Sequence, residues 1–190
     1  MSGLGGTAVI FDLDGTLVDS EPNYYEAGRR LLAEHGVPDF TWADHERYVG
    51  ISTLETVTLW KREYGLRATV DELLAAKNRR YLELARTTTR AYPEMRRFVE
   101  LLATEGVPMA VASGSAREAI TAILSGTGLD ARLRTVVSAD EVERGKPAPD
   151  VFLAAARRLG VAPADCVVVE DAAPGAAAAR AAYDWLCRTS

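Results

Sequence analysis

Four short stretches of the chain, residues 8–11, 109–112, 134–137 and 166–169, are rich in β-forming residues and lack the alternation of a half-exposed strand. Continuous runs of that length fit parallel strands covered on both faces. Helical patterns separate the last three. Ala116, Ala119, Ile120 and Ile123 fall on one helical stripe, and Phe152, Ala155, Ala156 and Leu159 on another, which Gly160 closes. Strand–helix alternation of this kind predicts an α/β fold with an open, Rossmann-like parallel sheet.

Between the first and second strands the pattern changes. Residues 24–34, 54–64 and 70–86 read as helices, the first two ending near Gly36 and Gly65, and no strand pattern interrupts them. Roughly seventy residues is far too long for an ordinary crossover connection. The pattern predicts a helical insert over residues 18–87, carried on a core made of residues 1–17 and 88–190. It joins the core near residues 15–20 and 87–93. The Ala-rich segment 172–182 predicts a tightly packed helix.

Composition narrows the picture. The chain has 190 residues, 48% hydrophobic and 26% charged, which suits one globular core with a smaller inserted unit. The net charge of -5 gives no support to a nucleic-acid-binding surface. Paired arginines (29–30, 79–80, 96–97, 157–158) are scattered over separate helical patterns and read as solvated faces. Two cysteines make no disulfide framework, so Cys166 and Cys187 are expected to be reduced, structural thiols. No apolar run approaches the eighteen or so residues of a membrane span, and no basic region followed by an apolar stretch opens the chain. These features predict a cytoplasmic protein without membrane or nucleic-acid partners. Oligomeric state is left open, a monomer included.

The chemistry gathers at the ends of the predicted strands. The first runs into "DLDGT", so Asp12 and Asp14, two apart, are expected to project together from its carboxyl end, where open α/β sheets place their ligands. The second ends in "VASGS". Ser115 and Glu118 there form an S-x-x-E capping box for the next helix, which leaves the Ser113 hydroxyl and the Gly114 amide free to hold an anion at a helix N-terminus. In "ERGKPAPD", Pro147 disfavours helix at Lys146 and places that lysine on an extended loop before a helix starting near Pro149. The fourth strand ends in "VVVEDAAPG", delivering Glu170 and Asp171 to the same edge. Four acids converging there repel one another, and a cation makes the arrangement tolerable. Oxygen ligands without a nearby His or Cys point to Mg²⁺, which keeps waters and a substrate phosphate in its shell. His35 and His45 both lie in the helical insert and read as surface or packing residues.

These four segments, "DLDGT", the "VASGS" serine, the "GKPAPD" lysine and the "VEDAAPG" acids, resemble in order and spacing the four motifs of the haloacid dehalogenase superfamily, and the insert resembles its helical cap. "DLDGTLVDSE" and "GKPAPDVFLAAARRLGV" are most similar to the branch of phosphoglycolate phosphatase and β-phosphoglucomutase. The resemblance implies a Mg²⁺-dependent phosphatase acting on a small phosphorylated metabolite, a sugar, polyol or glycolate phosphate, through an aspartyl phosphate. It implies Asp12 as nucleophile and Asp14 as the acid that protonates the leaving oxygen and then activates water. Asp12, the main-chain carbonyl of Asp14, and Asp171 would hold Mg²⁺ with Glu170 beside them. Ser113 would bind the transferring phosphoryl group, Lys146 would neutralise charge between it and the nucleophile, and Thr16 would support the phosphate site.

Several departures bear on the choice within that family. Asp14 argues against a carbon–halogen substrate, because the dehalogenases lack the second aspartate. Sugar-phosphate mutases carry a cap histidine where Tyr24 stands here, and a basic pair where "YVGISTLE" has Val49 and Thr53. The alternatives are a phosphomutase, or a catalytically silent binding module that keeps the fold. A response-regulator receiver also accepts phosphate on Asp, but the long insert and D-x-D-G-T disfavour it. Tyr24, Tyr25, Trp42, Tyr48 and Trp60 in the insert are candidates for substrate contact or for helix packing. After "AAPGAAAARAA", relatives turn into a further strand. "YDWLCRTS" instead reads as a continuing helix, which would leave one sheet edge or helix face uncovered.

Overall fold

The computed structural model describes residues 6–49 and 51–189, with side chains as far as Tyr183. In chain order the first elements are β1 (Ala8–Phe11), β2 (Val18–Asp19), α1 (Glu21–Glu34), α2 (Trp42–Glu46), α3 (Thr53–Glu63) and α4 (Val70–Thr87). Then follow β3 (Arg90–Ala91), α5 (Pro93–Thr104), β4 (Met109–Ser113), α6 (Arg117–Thr127), β5 (Thr135–Ser138), α7 (Asp150–Leu159), β6 (Cys166–Val169) and α8 (Ala173–Thr189). The chain forms two compact units, Met1–Ser20 with Thr89–Ser190, and Glu21–Thr88.

The first unit holds a four-stranded, all-parallel sheet in the order β5-β4-β1-β6. The four strands coincide with the four apolar runs to within a residue. Side chains alternate across the sheet, and each face buries its own set. Ile10, Ala110, Ala112 and Val137 pack against Val151, Phe152, Ala155 and Ala156 of α7 and Ala178 and Ala182 of α8. On the other face Phe11 meets Phe98 of α5 edge-on, with ring centroids 5.9 Å apart. Alanines make up much of the contact from α7 and α8.

Three features depart from the sequence pattern. α2 and α5 lie outside the predicted helices. So do β2 and β3, which pair antiparallel (Val18 with Ala91, Asp19 with Arg90) and are too short to show a period. That ribbon belongs to the core unit, so the helical unit begins at Glu21 rather than at residue 18. β6 is not covered on both faces: it is an edge strand, and Val167, in register with Val9, is 51% exposed. As the sequence pattern predicts, α8 continues as a helix to Thr189.

The helical unit has its own core of Leu31, Leu32, Phe40, Tyr48, Val57, Trp60, Leu66 and Leu73, with Tyr25 packed against it. Tyr48 and Trp60 are thus packing residues, whereas Trp42 remains exposed. His45 is buried, its Nε2 2.6 Å from Glu21 Oε1 and its Nδ1 without a hydrogen-bond partner. Lys77 of α4 is also buried here, its Nζ 5.2 Å from the Tyr24 ring centroid and 5.6 Å from that of Trp60. Burial holds its ammonium down at about 8, with Glu21 pulling the other way. Arg29 and Arg30 both pair with Glu26, and Arg80 with Glu34, as expected of solvated helix faces. Cys166 is a free thiol, and the side chain of Cys187 lies outside the described residues. Among the described residues, no helix is long and apolar enough to cross a membrane.

Candidate active site

Sheet order determines where the site lies. β1 is the first strand of the sheet along the chain, β4 and β5 are added on one side, and β6 is added on the other. The order therefore reverses between β1 and β6, and ligands of open α/β sheets bind outside the strand carboxyl ends at such a switch point. Asp12 follows β1, with its backbone N–H donating to Val169 O at 2.9 Å, and Glu170 and Asp171 follow β6.

Beyond Asp12 the chain turns sharply. Leu17 N–H and Val18 N–H both donate to Leu13 O, and Gly15 N–H donates to Val18 O at 2.9 Å. Gly15 has φ +82°, a left-handed conformation, and a Cβ there would sit 2.5 Å from Asp171 Oδ2. Only glycine lets the β1 turn approach the β6 acid this closely. Thr16, expected at the phosphate site, is buried and donates its hydroxyl to Asp171 Oδ1 at 2.6 Å. That bond orients the acid.

Lys146 Nζ lies 2.5 Å from Asp12 Oδ1 and 2.6 Å from Glu170 Oε2, and only 11% of its side chain is exposed. It reaches in from the loop before α7 and rests 5.0 Å from the Phe152 ring centroid. Its stem is thereby held by the core, and its charge joins two carboxylates from two different strands.

Asp14 takes hydroxyl donors, although it follows the same strand as Asp12. Asp14 Oδ2 accepts the Ser115 hydroxyl at 2.7 Å and the Ser113 hydroxyl at 3.4 Å. The expected capping box at Ser115 and Glu118 does not form. α6 begins at Arg117 after Ala116, which offers no side-chain cap, and Asp140 accepts the Arg117 N–H at 3.0 Å instead. Ser115 is thereby freed to face Asp14. The Ser113 hydroxyl also accepts the Ser115 N–H at 3.0 Å, and Ser138 Oγ holds the Ser115 carbonyl at 2.8 Å. Ser115 and Ser138 are the site residues the sequence reasoning missed. The period-two spacing of Ser113 and Ser115 was a usable signal for the first. Gly114 is exposed, with open space where a side chain would be.

Four carboxylates against one lysine leave the site short of positive charge. Burial pushes the Asp12 carboxyl up to about 7 against the pull of Lys146, and Glu170 and Asp14 add repulsion. Asp12, Glu170 and Asp171 each offer an oxygen, and these atoms lie within 4.8 Å of one another. A hard, all-oxygen donor set with excess negative charge fits Mg²⁺. The Asp14 carboxylate is not part of that trio.

The sequence matches the model of the haloacid dehalogenase-like hydrolases over residues 7–182. The chain belongs to that family. It is 36% identical over 186 residues to the fructose-1-phosphate phosphatase YqaB of Escherichia coli, covering 92% of this chain and 91% of that protein. It is 35% identical over 182 residues to the bifunctional riboflavin kinase/FMN phosphatase of Arabidopsis thaliana, covering 93% of this chain but only 46% of that longer protein. The crystal structure of a provisionally named β-phosphoglucomutase from Thermotoga maritima superposes with a TM-score of 0.82 at 28% identity, covering 93% of this chain and 82% of that one. Phosphatases of the family depend on Mg²⁺, and the trio at the switch point is where the donor chemistry for it lies in this chain.

Proposed function

We propose that this chain is a Mg²⁺-dependent phosphatase that hydrolyses a small phosphorylated metabolite through an aspartyl phosphate on Asp12. The observation that carries this reading is the position of Lys146, held between Asp12 and Glu170 at the switch point of the sheet. Asp12 Oδ attacks phosphorus while the bond to the ester oxygen breaks, and Asp14 gives its proton to that leaving oxygen. Water then attacks the phosphoryl group, losing a proton to the Asp14 carboxylate, and inorganic phosphate leaves Asp12 free. Ser115 holds Asp14 by its hydroxyl hydrogen bond through both steps, and the longer Ser113 contact is given up when that hydroxyl turns to phosphate. Ser113 and the Gly114 amide face the transferring oxygens, and Lys146 offsets their charge. Bound to Asp12, Glu170 or Asp171, and the Asp14 carbonyl, Mg²⁺ would supply charge that draws nucleophile and phosphate together and keeps Asp12 ionised. Thr16 and Gly15 fix Asp171 for that role.

Hydrolysis is favoured over phosphoryl shuttling within a sugar. In the helical unit, which we read as the family's cap, Tyr24 stacks on Tyr81 with centroids 4.1 Å apart, in the place where the mutases carry a histidine. The Mg²⁺ chemistry and a small phosphorylated substrate support a cytoplasmic metabolic enzyme. The test is inorganic phosphate release from fructose 1-phosphate, phosphoglycolate, polyol phosphates and glucose 1-phosphate, with and without Mg²⁺. Release that needs Mg²⁺ and disappears in Asp12→Asn is expected. Transfer between sugar hydroxyls that outpaces release would instead establish a mutase.

A further inference from the structure

The acid at the end of β6 needs a vacancy in the helix that follows it, and the structure shows which residue supplies it. Glu170 does not extend away from the sheet. Its Oε1 accepts the Ala172 N–H at 3.2 Å and its Oε2 accepts Lys146 Nζ at 2.6 Å, so the carboxylate lies back over the first turn of α8. Gly175, the third residue of that helix, is buried directly beneath it. A Cβ at Gly175 would fall 2.0 Å from Glu170 Cδ, 2.0 Å from Oε2 and 2.4 Å from Oε1. No side-chain carbon fits at those distances. Helix propensity works against glycine here: alanine is the better residue in a helix interior, and φ at Gly175 is not left-handed. The glycine is therefore not explained by the backbone it adopts.

We infer that Gly175 is a positioning residue, whose missing side chain forms the slot that holds the Glu170 carboxylate against Lys146 and within reach of the Mg²⁺ site. The inference rests on the functional reading above. Filling the slot expels Glu170 from both of its hydrogen bonds. Lys146 is then left with Asp12 as its carboxylate partner, and the oxygen trio loses a member. Supporting groups around a metal site change affinity by about 10- to 100-fold when removed.

The experiment is a double-mutant cycle of Gly175→Ala and Glu170→Ala, read by calorimetric titration of the full chain with MgCl₂ and by phosphate release. Gly175→Ala is expected to weaken Mg²⁺ binding by about 10- to 100-fold with Glu170 present, and to change it less than about threefold in the Glu170→Ala background. Equal losses in both backgrounds would show that the methyl acts through the helix, and would overturn the inference. So would an unchanged affinity in Gly175→Ala. Wild-type protein that neither binds Mg²⁺ nor releases phosphate would overturn the functional reading and the inference together. Wild-type protein that does both, with a variant that binds equally well, would overturn the inference alone.

Discussion

Asp14 and Asp12 are two residues apart, yet their surroundings give them different work. Asp12 is buried against a lysine, whereas Asp14 is half-buried and takes hydroxyl donors. A charged anchor suits a nucleophile that must stay ionised beside phosphate, and neutral donors suit a group that gives up and regains a proton. Ser115 is the shorter of the two hydroxyl contacts to Asp14. A hydrogen bond to a charged group contributes about 1.5–3 kcal/mol. Ser115→Ala is therefore expected to lower kcat by about tenfold or more while KM changes by less than about threefold, measured in steady-state phosphate release. A loss confined to KM would place Ser115 on the substrate instead. The sequence showed Asp12, Asp14, Glu170 and Asp171 plainly, because each ends or follows an apolar run, whereas Lys146 stood out only through the resemblance of "GKPAPD" to a family motif. It hid Ser115, because S-x-x-E is also a helix-start signal and only the helix boundary at Arg117 decides between the two uses.

At the scale of elements, α4 carries an unusual interior residue. Lys77 is 4% exposed and lies against two aromatic rings. Its folded value near 8 stands below the ordinary 10.5, so between those pH values the unfolded chain binds more protons and stability rises with pH. Below pH 8 the burden is at its full size, roughly a few kcal/mol, since one pKa unit corresponds to about 1.4 kcal/mol. Lys77→Met, similar in volume, is expected to raise the melting temperature at pH 7 and to flatten the rise between pH 8 and 10.5 seen by thermal denaturation. An unchanged or lower melting temperature would mean that the contacts with Tyr24 and Trp60 outweigh the burial. The helix itself was legible from its helical pattern over residues 70–86, and the structure adds a Thr69–Glu72 capping box. The burial of a lysine on it was not, because a charge on a helical pattern ordinarily marks the solvent side.

Across the whole molecule, charge at the switch point links folding, metal and pH. Without Mg²⁺, Asp12 titrates near 7 in the folded chain against an ordinary 3.8. The folded state then holds a proton that the unfolded state lacks between those values, so this group's contribution is full below pH 3.8 and is lost as pH rises through 7. With Mg²⁺ the dependence should invert, because the metal requires the ionised carboxylate. At a concentration about 100 times Kd, Mg²⁺ should add about 2.7 kcal/mol. For a chain of this length that is several degrees in melting temperature at pH 7.5, with a smaller gain at pH 5.5. Asp12→Asn should remove both effects in the same melting curves. Equal stabilisation at both pH values would show that the cation binds elsewhere.

The sequence by itself determined the local elements and the residue types at their ends. Periodicity and turn chemistry depend on neighbours a few residues apart, so the four strands, α1, α3 and α4, and the acids at the strand ends could be read from the chain. Tertiary structure alone decided what lies between distant segments. It placed β6 beside β1, which brings Glu170 to Lys146, and it put Thr16 on Asp171, 155 residues away. It also decided which glycine yields space to which carboxylate, and that β2 pairs with β3. Those pairings depend on strand order and on close packing between segments far apart in the chain, and a one-dimensional pattern of polar and apolar residues carries neither.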